Sequence, residues 1–286
     1  MPNKPLLTWR AFKKAHLDQN DTLKRYATTR GRDRVTDEIA LTLKNDGKGL
    51  LYATSAMSRL ALGKVLKELI GRAAGGAAFK NIYFVTLTPS QFAVPMSSAH
   101  KVDVAMLKEW ATHVLNPDNF IAIVEAAHYS NFGVAPRSDE PAISWHVHAL
   151  VWGPAEGSLP SRIESLNRVH RSLVPGCPCG HVRQLTRGQV LGRALYMCKA
   201  PLDDHRVYPM RTERVAKNTG EVRTFLTGEF RQRKRRLRPG QAISMVGVFG
   251  ALRVPDLLFA GGAGKSILAR VLTRLKRKAG GESAHA

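Results

Sequence analysis

Apolar positions along the chain change their period twice. From Ser58 to Ile70 they recur at helical spacing, with Leu60, Leu62, Val65, Leu66, Leu69 and Ile70 near one face, and a glycine-rich stretch from Gly71 ends the pattern. From residue 82 the signal becomes that of strands. Ile82 to Thr88 is β-branched and aromatic and is stopped by Pro89, and Phe120 to Ala127 and Ile143 to Trp152 are further apolar runs. Between the last two, Ser130 to Pro141 is polar and holds a glycine and two prolines, the composition of a long hairpin loop with no room for a crossover helix. Helical patterns cover Ser97 to Leu115, Pro160 to Leu173, Arg187 to Lys199 and, at the end, Ser266 to Lys278. Beyond residue 200 the strand signal weakens. The pattern predicts an α+β fold with an antiparallel-centred sheet and flanking helices. It divides into a basic, mainly helical segment over 1–76, a central domain over 77–229, and a basic segment over 230–286 that ends in an amphipathic helix.

Charge narrows the function. The 286 residues carry 44 Lys and Arg against 22 Asp and Glu, a net charge of +22. With 44% hydrophobic residues the chain can still bury a core, so this is not the composition of a disordered polycation. A field that positive is best matched by a polyanion, nucleic acid first. The longest clean apolar run, Ala242 to Leu252, is too short to span a bilayer, and the N-terminus has no apolar signal core. Three cysteines suit a reducing compartment, so a cytoplasmic location without a membrane partner is expected.

Within that frame, Trp145-His146-Val147-His148 places two imidazoles two residues apart in a strand, hence on one face, with Trp145, Val147, Ala149 and Val151 on the other. The apolar face can anchor the strand and leave the histidine face open. Imidazole is a common divalent-metal ligand, and Glu125, the one charged residue in the neighbouring apolar strand, is the natural third donor. The plain alternative is two satisfied core histidines and a glutamate at a frayed strand end. In the helix from Arg187, the residues Val190, Leu191, Ala194, Leu195 and Cys198 form the core stripe, which leaves Tyr196 on the far side with Lys199 on its flank. A phenol beside an ammonium is a candidate nucleophile; the plain alternative is a surface tyrosine beside a solvated lysine.

Phe84-Val-Thr-Leu-Thr88, then His146-Val-His148, then Tyr196-Met-Cys-Lys199, in that order, resembles the three motifs of HUH-type rolling-circle replication initiators of small plasmids and phages. The resemblance covers about residues 80 to 200. It implies an HUH endonuclease domain built on a ferredoxin-like palm, with Glu125, His146 and His148 holding Mg²⁺ or Mn²⁺, Tyr196 as the catalytic tyrosine and Lys199 as its companion. The implied activity is nicking and rejoining of single-stranded origin DNA through a 5′-phosphotyrosine, leaving a 3′-OH primer. The implied partners are single-stranded and duplex origin DNA and the host helicase and DNA polymerase, and the resemblance leaves a homodimer open. Gly192 and Ala200 stand one turn either side of Tyr196, so the type is single-tyrosine. The tyrosine follows the histidines, which points to replication proteins or single-tyrosine HUH transposases.

Weaker signals remain. Cys177, Cys179 and His181 are close enough in sequence for a zinc site or for an ordinary turn. Gly261-Gly-Ala-Gly-Lys-Ser266 is similar to a phosphate-binding loop but has Phe259 where that loop needs glycine, and a helix-opening turn explains it as well. The run holding Arg231, Arg233, Lys234, Arg235, Arg236 and Arg238 could track a DNA backbone, and Lys13, Lys14, Arg30, Arg32 and Arg34 could extend it. Two rivals from other classes are a two-histidine, one-carboxylate iron oxygenase and a nonenzymatic basic DNA-binding protein.

Overall fold

Three helices open the computed structural model, which describes residues 7–29, 35–44, 51–132, 139–215 and 221–281: α1 (Trp9–Thr28), α2 (Asp37–Lys44) and α3 (Ala56–Ala74). Strands β1 (Tyr83–Leu87) and β2 (Ala93–Pro95) follow, then α4 (Val104–Leu115) and the central strands β3 (Asn119–Ser130) and β4 (Ala142–Trp152). Next come α5 (Ser158–Val169), β5 (Gly180–Gln184) and α6 (Arg187–Met197). The last third folds as β6 (Asp203–Val215), β7 (Val222–Arg236), α7 (Pro239–Phe249), α8 (Val254–Leu257), β8 (Leu258–Gly261) and α9 (Gly264–Gly281). Among the described residues no helix is long and apolar enough to cross a membrane.

The strands form one mixed, mostly antiparallel sheet in the order β5-β1-β4-β3-β6-β7, with β2 also on β4 and β8 also on β3. Its centre is the β3–β4 hairpin, paired from Asn119↔Trp152 to Tyr129↔Ala142. Both strands are buried on both faces, with helices or loops over each side, and among the polar side chains they carry are those of the site described below. Trp145, opposite in parity to the histidines, donates its indole N–H to the Ala99 carbonyl at 3.1 Å and packs on Phe249 of α7. The outer edge of β3 is divided: β8 pairs antiparallel with residues 120–123 and β6 pairs parallel with residues 128–130.

Several expectations need correction. The histidine face of β4 is not open: His146 and His148 are 6% and 4% exposed, because α6 and the start of β6 lie over them and leave only a cavity. The pattern from Ser97 to Leu115 is two elements, a 3₁₀ segment and then α4, because the Asp103 carboxylate accepts from the N–H groups of Ala105 and Met106 and starts the helix there. The helix expected over Pro160 to Leu173 runs from Ser158 to Val169. Beyond residue 200, where the strand signal fades, stand the two longest strands of the molecule, β6 and β7, joined as a ribbon. A two-stranded ribbon exposed on both sides needs no apolar alternation, so none is written in the sequence.

One hydrophobic cluster draws on all three segments of the chain. Phe12, Leu62, Leu66 and Ile70 from the first and Phe249, Val271 and Leu275 from the last are buried with Ile121, Ile123, Val147 and Leu150 of the central hairpin. A smaller cluster joins Leu23 of α1 and Ile39 and Leu43 of α2 to Ala242, Ile243 and Val246 of α7.

Candidate active site

The register of the central hairpin builds the site. Glu125 of β3 lies directly across from His146 of β4, and His148, two residues on, shares the face of His146. Glu125 Oε2 is 3.2 Å from His148 Nε2 and 3.8 Å from His146 Nε2, and the two Nε2 atoms are 3.3 Å apart. The ring ends are oriented from behind. His146 Nδ1–H donates to the Ser144 carbonyl at 3.0 Å, and His148 Nδ1 is bonded to the Thr86 hydroxyl of β1 at 2.9 Å. The Nε2 atom of each ring is thereby turned toward the carboxylate.

Three acceptors crowded together in a buried place call for a cation. Glu125, His146 and His148 offer ligand atoms that all lie within 4.8 Å of one another, and among the described residues they are the one such group of three. Glu125 Oε2 is buried with no hydrogen-bond donor. Burial together with the facing His148 imidazole lowers His146 to about 4, and burial lowers His148 as well, so both imidazoles are neutral ligands at physiological pH. Burial would raise the Glu125 carboxyl, but the Lys199 ammonium and His148 outweigh it and hold the group well below the usual carboxylate range. Two neutral imidazoles and a carboxylate fit a divalent ion.

Helix α6 brings the second half. It opens on a capping box between Thr186 and Gln189 and buries Val190, Ala194 and Leu195, with the buried Cys198 just past its end; Leu191, the fifth residue of the predicted stripe, is only half-buried. Tyr196 is left half-buried over the histidines, its ring edge-on to His148 with centroids 5.2 Å apart and edge-on to Phe84 at 5.8 Å. The helix ends at Met197, so Lys199 sits in the turn beyond it, buried, with Nζ 4.9 Å from the Tyr196 ring centre. That ammonium is 3.4 Å from Glu125 Oε1 and 3.6 Å from Asp203 Oδ2. Burial works against its charge, but Glu125, Tyr196 and Asp203 reverse the effect and keep Lys199 protonated. One turn before Tyr196, the Arg193 guanidinium lies 5.9 Å from the tyrosine ring centre and 5.4 Å from that of Phe84.

The cavity over these groups also takes Thr88, the last residue of the Phe84–Thr88 motif, and His181, Asp203, His205 and Lys234, which do not stand out in the sequence as part of this site. His205 stacks on Tyr129 with centroids 4.9 Å apart, and burial with the nearby Lys234 lowers it to about 3. A more remote contributor is His16 of α1: its Nδ1–H donates to the Phe12 carbonyl at 2.8 Å and its Nε2 accepts the Ala200 N–H at 3.0 Å. Beside it the Gln19 amide donates to the Pro201 carbonyl at 2.9 Å. The link from Lys199 to β6 is thus clamped by the first helix of the chain.

The other sequence candidates are dispersed. Cys177, Cys179 and His181 form no metal-holding group: Cys177 Sγ accepts from Gln232, the buried Cys179 thiol is pushed up to about 11, and His181 faces the cavity. The basic run lies on β7, where neighbours alternate sides. Lys234 pairs with His205 in register and lines the site, Arg231 and Arg233 fall on the other face, and Arg235 Nε donates to the buried Asp204 at 2.7 Å. Arg236 is exposed across from Asp203, and Arg238 is exposed at the start of α7. Lys13 and Lys14 are exposed on α1; Arg30, Arg32 and Arg34 lie outside the described residues. The glycines before Ser266 have a packing role: a Cβ on Gly264 would stand 1.8 Å from the Phe120 carbonyl oxygen and one on Gly262 2.4 Å from Asn119 Oδ1. They let the turn into α9 press on β3. Comparison of the chain with protein-family models, with curated proteins and with solved structures finds no match.

Proposed function

We propose that the protein is an HUH-type endonuclease that nicks and rejoins single-stranded DNA, in the manner of the initiators of rolling-circle replication. One observation carries the reading: a two-histidine, one-glutamate cluster has a tyrosine ring edge-on to one of its histidines and a buried lysine joining the tyrosine to the glutamate. The net charge of +22 supplies the attraction for a DNA strand.

Glu125, His146 and His148 would hold a divalent ion, Mg²⁺ or Mn²⁺, which when bound polarises the scissile phosphate as a Lewis acid. Tyr196 attacks phosphorus in line with the 3′ oxygen: the tyrosine O–P bond forms, the P–O3′ bond breaks, and the phosphate stays on the protein as a 5′-phosphotyrosine. The phenol gives up its proton and the departing 3′ oxygen takes one up, which leaves a 3′-OH that a polymerase can extend. Lys199, held between Glu125 and Asp203, places a fixed positive charge beside the tyrosine as its oxygen loses the proton. Rejoining is the reverse attack by a 3′-OH on the same diester.

The test is a denaturing gel of protein mixed with Mn²⁺ and end-labelled single-stranded DNA pools. A metal-dependent protein–DNA band is expected in wild type and absent from Tyr196→Phe and His146→Ala. Retention of the band in Tyr196→Phe would sink the nucleophile assignment. The donor set is also that of non-haem iron oxygenases. Fe²⁺-dependent oxygen consumption without any DNA adduct would transfer the site to that class.

A further inference from the structure

Helices α3 and α9 close the core with their inner sides and build a charged groove with their outer ones. Across the two, nine lysines and arginines are exposed or half-buried, and Glu68 is the only carboxylate on either helix. The charges fall in stripes. Lys64, Glu68 and Arg72 follow at i, i+4 and i+8 on α3, and Arg270, Arg274, Arg277 and Lys278 at i, i+4, i+7 and i+8 on α9. The stripes meet at Glu68, whose Oε1 accepts from Arg72 at 2.6 Å and whose Oε2 pairs with Arg274 of the other helix at 2.9 Å. The bond from Arg274 holds the Glu68 carboxyl below the usual carboxylate range. A guanidinium has five N–H donors, so each arginine can hold Glu68 and still reach a further anion. Between the helices lies a groove of about 330 Å³ lined by Lys64, Val65, Glu68, Arg274, Arg277 and Lys278. None of these six lines the cavity that holds Tyr196.

Four cations around one carboxylate leave the groove positive, and a polyanion is what such a surface attracts. A second copy of the chain would bring the same net charge of +22 against it. A helix that lies on an anionic membrane needs an apolar face to bury there. The apolar stripe of α9 is already used: Val271 and Leu275 are fully buried, and Ile267, Leu268 and Leu272 pack on the core. The scaffold selects among nucleic acids. Helix α3 is packed against both α6 and α9, and the glycine turn before α9 is pressed on β3, so the cations stand in fixed rows. Fixed rows of cations suit a partner whose phosphates are also fixed, which is a duplex rather than a flexible single strand. From Arg270 to Lys278 the helix rises about 12 Å at about 1.5 Å per residue, a span that meets about seven duplex charges at one per roughly 1.7 Å.

We infer that the groove between α3 and α9 is a seat for duplex DNA, in which Lys64, Arg274, Arg277 and Lys278 contact backbone phosphates away from the cavity that takes the single strand. The inference rests on the nuclease reading for the identity of its nucleic acid, and on the two helices alone for its geometry.

The experiment measures fluorescence anisotropy of a blunt-ended DNA duplex with the full chain over a series of salt concentrations. Lys64→Gln, Arg277→Gln and Lys278→Gln together, all at exposed positions, should weaken binding and reduce the slope of log affinity against log salt by about 2.7, at about 0.9 for each phosphate no longer neutralised. Arg277→Gln with Lys278→Gln alone, near the end of α9, leaves α3 untouched and should remove about 1.8. A charge-matched control at the exposed Lys80, Lys101 and Arg171, each changed to Gln, lowers the net charge equally and should keep a slope near that of wild type. A wild-type slope in both groove variants would overturn the proposal, and so would an equal loss in the groove triple and the control. It also fails if the groove triple binds duplex like wild type but no longer binds phosphatidylserine vesicles, since the occupant would then be a lipid surface. Adduct formation by wild type on a single-stranded oligonucleotide is read in parallel: its absence counts against the Tyr196 reading, whereas the groove stands or falls on the duplex slopes.

Discussion

Glu125 is served by a permanent cation, Lys199, on one oxygen and by two imidazoles that favour a metal ion on the other. The arrangement makes a sharp claim about the lysine. In Lys199→Met the buried carboxylate loses the one permanent cation at ion-pair distance among the described residues, and breaking a buried pair typically costs about 3–5 kcal/mol. A divalent ion that binds the folded state alone gives part of that back. The expected outcome is a melting temperature far below wild type in EDTA, with a gain on adding Mn²⁺ that exceeds the wild-type gain; equal stability of the two proteins in EDTA would show that the ion pair is not needed. The residues of this site were legible in the sequence for a physical reason. Strand parity fixes His146 with His148 and a hairpin without a crossover fixes β3 against β4; Lys199 comes beside Tyr196 as expected, but from the turn after α6 rather than from the helix that its spacing predicts. Asp203, His205 and Lys234 were not legible, because they arrive on strands with no apolar alternation to reveal them.

At the scale of elements, α1 has a role that its own sequence conceals. It reads as a basic helix, yet it seats His16 under the turn that carries Lys199 and fixes the backbone at Ala200 and Pro201. Burial, only partly offset by the bond to Phe12, lowers His16 to about 4, and its Nε2 must stay unprotonated to accept the Ala200 N–H. The unfolded chain binds this proton near pH 6.5 and the folded chain only near 4, so between those values the unfolded state holds more protons and stability falls as pH falls. The window is worth about 3 kcal/mol at about 1.4 kcal/mol per pH unit. Urea midpoints measured from pH 7 to pH 4 should drop more steeply in wild type than in His16→Gln; parallel curves would show that His16 does not titrate across that window. A lone histidine on a helix carries no mark of its partner 184 residues away, and only the packing of α1 on α3 and α6 brings the two together.

Over the whole molecule, the division at residues 76 and 230 follows the charge, and the core does not. Helices α3 and α9 set an apolar stripe inward and, apart from the buried Arg59, their lysines and arginines toward the outside, so the residues that supply the basic field stand on the elements that close the core. Phe12, Leu62, Leu66, Ile70, Phe249, Val271 and Leu275 are each 1% exposed or less, and all of them lie outside 77–229. At about 1.5–3 kcal/mol for each buried side chain, their loss comes to about 10–20 kcal/mol, as large as the roughly 5–15 kcal/mol by which a domain is stable. A fragment of residues 77–229 keeps Glu125, His146, His148, Tyr196 and Lys199 but uncovers the sheet that positions them. It is expected to show no cooperative thermal transition and no saturable Mn²⁺ binding by calorimetry, while the full chain shows both. A fragment that melts cooperatively and binds Mn²⁺ like the full chain would mean that the central sheet holds its metal ligands in place without α1, α3 and α9, and that the basic segments act on DNA alone.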